Sequence, residues 1–154
     1  MTRAPKEISI RTARPDDAEA IAQLSGELGY PTTPPDARRR LFDIKTSDNH
    51  AVMVAEDEPG SVVGWMHVFR SPRLGGEPFA ELGGLVVTEA LRGHGIGRRL
   101  VAEAERWASE REIGTLRIRT RTTRNDARLF YEDLGFFLTK TQVVFERQLD
   151  ESQS

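Results

Sequence analysis

A chain of 154 residues, 38% hydrophobic and 30% charged, has enough apolar material for one compact core and needs no second domain. It contains no cysteine, which excludes disulfides, thiolate metal sites and a cysteine nucleophile and leaves catalysis to oxygen and nitrogen groups. The opening MTRAPKEISI lacks a signal-peptide core and no run reaches transmembrane length, so a cytoplasmic protein of one domain over 1–154 is expected, with flexible ends at 1–6 and 150–154.

Strands and helices alternate along the chain. EISIRTA alternates and reads as a strand. RPDDAEAIAQLSGEL gives a helix beginning near Asp16 or Asp17, with Ala18, Ile21, Ala22 and Leu24 on one face. GYPTTPPD ends it, and DARRRLFDIKT is a short second helix. HAVMVAED, the turn EPGS and VVGWMHVFR form a β-hairpin. PFAELGGLVV is a further strand, interrupted by Gly83 and Gly84; paired glycine in mid-strand predicts a bulge or a close approach to the backbone. From Ile96, the apolar residues Leu100, Val101, Ala104 and Trp107 recur at helical spacing to about Glu112. TLRIRTR is a strand, NDARLFYEDLG a helix ended by Gly135, and FFLTKTQVVFERQL gives one or two closing strands. The expected fold is of the α/β class, a mixed sheet with helices on its faces.

The net charge of −2 hides an asymmetry: residues 92–128 hold 10 Lys and Arg against 5 Asp and Glu, within an otherwise acidic chain. This local excess suits an anionic partner. The same segment opens with LRGHGIGRRL, three glycines in five residues between a strand and a helix. A nucleotide P-loop would end in Gly-Lys-Ser or Gly-Lys-Thr, and GIGRRL has neither. A dinucleotide fingerprint needs G-x-G-x-x-G, whereas these glycines run G-x-G-x-G. A short glycine turn led by Arg92 and followed by the unpaired N–H groups of a helix start remains, which is an anion site suited to pyrophosphate.

VVTEALRGHGIGRRL resembles the acyl-CoA signature of the GNAT superfamily of N-acetyltransferases, matched by Arg92, Gly95 and Gly97. NDARLFYEDLGF resembles the second motif of that family, with Asn125, Ala127, Phe130, Tyr131, Leu134, Gly135 and Phe136 in place. The resemblance implies acetyl-CoA as cosubstrate, no metal, and a mostly antiparallel sheet splayed between two central parallel strands. Leu85, Val86 and Val87 would pair their main chain with the pantetheine, and Arg92, Gly93, His94, Gly95, Ile96, Gly97 and Arg98 would hold the phosphates. Asn125 would cap its helix and touch the cofactor arm. Tyr131 matches the proton donor to the departing thiolate. Glu81, at a spacing similar to the histone acetyltransferase branch, is the candidate base, with His67 as runner-up and candidate substrate contact. Tyr30, in the loop between the first two helices, lies where the family admits its acceptor.

Alternatives stay open on the residues themselves. Tyr131 also reads as a core aromatic, Glu81 as one half of an outward salt bridge, and Tyr30 as packing beneath its loop. Arg117, Arg119 and Arg121 share one strand face, where carboxylate partners explain them better than nucleic acid. Transfer of acetyl to a primary amine in a ternary complex is the leading function, and a catalytically silent acyl-CoA-binding module is the rival. Neither nucleic acid nor membrane is an expected partner, and the resemblance allows a homodimer.

Overall fold

The structure, a computed structural model, describes residues 7–58, 60–121 and 125–149. The chain divides into two compact units after Arg119, and each is taken by itself.

The first unit is a five-stranded sheet with helices on both faces. Strand β1 (Ser9–Thr12) leads through one 3-10 turn at Pro15–Asp17 into helix α1 (Ala18–Glu27) and then helix α2 (Pro34–Lys45). The helix expected from Asp16 or Asp17 thus begins as a 3-10 turn. Helix α2 starts at Pro34, ahead of the expected DARRRLFDIKT, because Thr33 caps it: its hydroxyl accepts the Asp36 N–H at 3.2 Å. Strands β2 (His50–Glu56) and β3 (Val62–Ser71) form the expected hairpin, and β4 (Phe79–Val87) continues the meander. Helix α3 (Ile96–Glu110) then crosses back to β5 (Leu116–Ile118), giving the order β1-β2-β3-β4-β5 with every pair antiparallel except β4 with β5.

Strand alternation assigns the two faces. Val52, Val54 and Trp65 point to one side, where Ile21 of α1 and Leu41 and Ile44 of α2 pack on them. Gly64, one residue out of step, points to α3: a Cβ built there stands 3.4 Å from Leu100 Cδ1 and 2.9 Å from the Val86 carbonyl oxygen. Helix α3 buries Ile96, Leu100, Val101, Ala104, Trp107 and Ala108, the stripe visible in its sequence. At the α1 side, Arg11 donates to both oxygens of the buried Asp17 at 2.8 and 2.9 Å and also to Glu56 at 2.9 Å, tying β1, β2 and the 3-10 turn together.

The second unit contains helix α4 (Asn125–Asp133). Its end is closed by Gly135 at φ 96°, with the Phe136 N–H donating to the Tyr131 carbonyl at 3.0 Å, as a glycine terminator predicts. The one or two strands expected in FFLTKTQVVFERQL are not formed: no strand is assigned between Phe136 and Leu149. Alternation tells which side chains would share a face, but a strand exists only through pairing, and none of these residues joins the sheet ladder.

Candidate active site

The site is built around β4. Strand β4 pairs with β3 along its length, with one irregularity: His67 lies opposite Gly84 and Val68 opposite Leu82, so Gly83 is an extra residue. This is the bulge announced by the paired glycines. Neither position has room for a side chain unless a neighbouring ring shifts. A Cβ at Gly84 would lie 2.6 Å from Trp65 Cζ3, and one at Gly83 would lie 2.9 Å from Phe69 Cε1 and 3.3 Å from His67 Nδ1.

On its other edge β4 pairs with β5 only from Ala80 to Leu82, where they meet Leu116 to Ile118. Strand β5 ends there, and β4 runs on from Gly83 to Val87 without a β5 partner. The parallel strands therefore part at the bulge. The freed edge includes the main chain of Leu85, Val86 and Val87, while the Val86 side chain is buried.

Beyond β4, Leu91 and Ile96 are buried and anchor the two ends of a short turn, Arg92 to Gly95. Gly93 and Gly95 take φ of 85° and 83°, and a Cβ at either would meet nothing within 4 Å. Backbone conformation, not crowding, dictates glycine there. Gly97 differs: it is the second residue of α3, so the turn proper ends two residues before the 93–97 span of the motif does. The first intrahelical bond runs from the Arg99 N–H to the Gly95 carbonyl at 3.1 Å, ahead of which stand the amides of Ile96 and Gly97. No acidic residue lies in the first turn of α3. The helix dipole and these amides favour an anion there. Arg92, His94 and Arg98 are exposed. Arg92 Nε donates to the Val87 carbonyl at 3.1 Å, holding the turn against the end of β4, and Arg99 donates to the Ile8 carbonyl at 2.8 Å.

One residue of this region escapes sequence reasoning. Glu27, at the end of α1, accepts the Glu89 N–H at 3.0 Å and the Thr88 hydroxyl at 3.3 Å. It fastens the approach to the glycine turn to the helix that leads into the Tyr30 loop. No local signal in the sequence marks this contact, since its partners lie 61 and 62 positions away.

The α1/α2 face of the sheet next to the bulge carries the polar groups. His50 Nδ1 and His67 Nε2 are 2.9 Å apart, and their rings stack with each other and lie beside Phe69. Burial, reinforced by the charge of His50, brings His67 down to about 4, so its ring is neutral at physiological pH. Glu81, opposite Phe69, accepts a hydrogen bond from Arg119 Nε at 2.9 Å. The outward salt bridge considered for Glu81 is therefore present, and Arg117 stands 4.1 Å over the Phe79 ring. These two contacts account for two members of the arginine stripe without nucleic acid. Tyr30 is 46% exposed in the loop between α1 and α2.

In the second unit, Tyr131 sits edge-on to Phe130 and Phe136, with ring centroids 5.1 and 5.7 Å away. Burial pushes its phenol up to about 12, so it holds its proton at neutrality. Asn125 is the first residue of α4 and exposed. Among the described residues, no group of three His, Cys, Asp or Glu is arranged to hold a metal, and no helix is long and apolar enough to cross a membrane.

A bulged strand parting from its parallel neighbour and running into a glycine turn and helix is the arrangement that the resemblance to the GNAT superfamily implies. The Acetyltransferase (GNAT) family model matches residues 17–136, and the chain belongs to that family, an acetyl-CoA-dependent N-acetyltransferase. It is 27% identical over 138 residues to the aminoglycoside N(6′)-acetyltransferase type 1 of Serratia marcescens, covering 87% of this chain and 94% of the relative. A Bacillus halodurans transcriptional regulator superposes with a TM-score of 0.81 at 29% identity, over 92% of this chain and all of the other. The fold is also that of the acetyltransferase AAC(6′)-Iy bound to a bisubstrate analogue joining CoA to an acetylneamine, with a TM-score of 0.81 at 21% identity over 94% of this chain and 100% of that one.

Proposed function

We propose that this N-acetyltransferase, as one domain over residues 1–154, acts on a primary amine of a cationic amino sugar, by direct transfer in a ternary complex. The observation that carries the reading is the opening of β4 from β5 at Gly83, followed by the two left-handed glycines of the β4–α3 turn. Acetyl-CoA would extend along the freed edge of Leu85 to Val87, its pyrophosphate on Gly93, His94, Gly95 and the amides of Ile96 and Gly97, with Arg92 and Arg98 beside the phosphates. The thioester would then lie at the bulge, where Glu81, His67 and Tyr30 face the amine. Tyr131, a protonated phenol, would supply the proton to the leaving thiolate, and Asn125 would start the helix that carries it. With no cysteine in the chain, no acyl-cysteine intermediate forms.

The amino-sugar class is supported by the Serratia relative, which aligns over nearly its whole length. The test is CoA release from acetyl-CoA with a panel of neamine-type aminoglycosides, polyamines and peptide amines, with the acetylated product identified by mass. Fastest turnover on the aminoglycosides supports the reading, and preference for peptide amines would refute it. The likeness to a transcriptional regulator favours one second reading, a silent acyl-CoA-binding module. Acetyl-CoA binding without CoA release across the panel would establish it.

A further inference from the structure

His67 is placed facing the amine above, but its hydrogen bond to His50 has no role in that reading. We propose that the His50–His67 pair is a proton relay that carries the proton of the attacking amine from the bulge to solvent, an inference that rests on the acetyltransferase reading of the β4 site.

Three independent features converge on it. First, the two rings are joined at 2.9 Å through His50 Nδ1 and His67 Nε2, which leaves His67 Nδ1 and His50 Nε2 as the outer ends of a two-ring chain. Second, the inner end lies at the bulge: His67 Nδ1 is 3.3 Å from the point where a Gly83 side chain would begin, and the absence of that side chain lets the rings of His67 and Phe69 sit directly against the bulged backbone. Third, the rings are fixed. The Phe69 ring, with its centroid 5.3 Å from that of His50 and 5.2 Å from that of His67, sets their orientation, and β-sheet pairing of His50 with Phe69 and His67 with Val52 holds them on adjacent strands. Such preorganisation is what proton transfer needs.

The step balances as follows. The relay begins with the shared hydrogen on His67 Nε2 and a hydrogen on His50 Nε2. As the amine nitrogen forms its bond to the acyl carbon, its N–H bond breaks and a bond to His67 Nδ1 forms. His67 Nε2 passes its hydrogen to His50 Nδ1, and His50 Nε2 releases one to water. One proton leaves the site, no imidazolium accumulates, and the tautomers return by exchange with water. A ring that resists charging suits a relay better than a store, because it must hand the proton on. Glu81, opposite Phe69 on β4, is engaged with Arg119.

The experiment compares wild type with His67→Gln, His67→Ala and His50→Gln, measuring kcat/KM for the best amine and, separately, acetyl-CoA affinity. Expected is a loss of ~100-fold in kcat/KM for the His67 variants and a smaller loss for His50→Gln, with acetyl-CoA affinity retained in all three. Added imidazole is expected to raise the rate of His67→Ala in a saturable way and to leave wild type unchanged. Wild-type rates in His67→Gln overturn the relay, and so does a loss in both His67 variants that tracks lost acetyl-CoA binding or resists imidazole. Unchanged kcat/KM in His50→Gln removes His50 from the path and overturns the pair. A wild-type protein that releases no CoA with any amine refutes the parent reading instead, and the relay with it.

Discussion

Replacing Gly84 with alanine places a methyl group 2.6 and 2.7 Å from Cζ3 and Cη2 of Trp65, where carbon atoms rest at ~3.5 to 4.0 Å. The indole has to retreat by about 1 Å. It has little room, because it packs against the cluster of Leu41, Val52 and Val54 beneath α1 and α2. Overpacking of this kind costs about 1–3 kcal/mol, which for a chain of this size lowers the unfolding midpoint by roughly 2–10 °C. The clashing atoms belong to the outer part of the indole, so Trp65→Phe in the same chain is expected to recover part of the loss. The single and double variants form a double-mutant cycle, read by thermal unfolding, with an expected coupling of about 1 kcal/mol or more. A Gly84→Ala midpoint within about 1 °C of wild type, or strict additivity with Trp65→Phe, would refute the claim that the bulge sits tight on Trp65. Gly83→Ala is expected to do less, since its neighbours are ring edges of Phe69 and His67 beside an exposed strand position.

Tyr131→Phe is expected to lower kcat by ~10- to 100-fold with acetyl-CoA affinity unchanged, and equal kcat would remove the phenol from proton donation. Glu27→Ala frees the Glu89 N–H and Thr88 hydroxyl, so KM for acetyl-CoA is expected to rise severalfold with little change in kcat; an unchanged KM would show that the turn keeps its shape unaided. His67 also predicts a pH effect on stability. Its folded pKa of about 4 lies below the ordinary 6.5, so the unfolded chain binds the extra proton more readily. The protein is at full strength above about 6.5 and loses up to about 3 kcal/mol as pH falls toward 4, an acid slope that His67→Gln is expected to flatten. Identical pH dependence of the midpoint in wild type and variant would contradict this.

Much of the fold could be read from local pattern. The β2–β3 hairpin was legible because alternating runs flank a glycine turn, and the Gly83 bulge because paired glycine has few other uses inside a strand. The β4–α3 turn followed from glycine spacing, although Gly97 belongs to the helix. What escaped depends on distant partners. Arg119 as the partner of Glu81 follows from parallel pairing across a long crossover, and Glu27 reaches residues 61 and 62 positions away. His50 joins His67 diagonally across the hairpin, visible only when the register is known. Strand β5 proved only three residues long, and the closing strands did not form, since alternation in a segment says nothing about whether an edge is there to receive it.

The central claim, that the β4–α3 turn is the acetyl-CoA phosphate site, is tested most directly by calorimetric titration of acetyl-CoA into wild type, Gly95→Ala and the distant control Gly75→Ala. Gly95 holds φ at 83°, where alanine is strained by about 1–2 kcal/mol, so its affinity is expected to fall by roughly tenfold while Gly75→Ala matches wild type. Acetyl-CoA binding that is absent from wild type, or equally tight in all three proteins, would contradict the account.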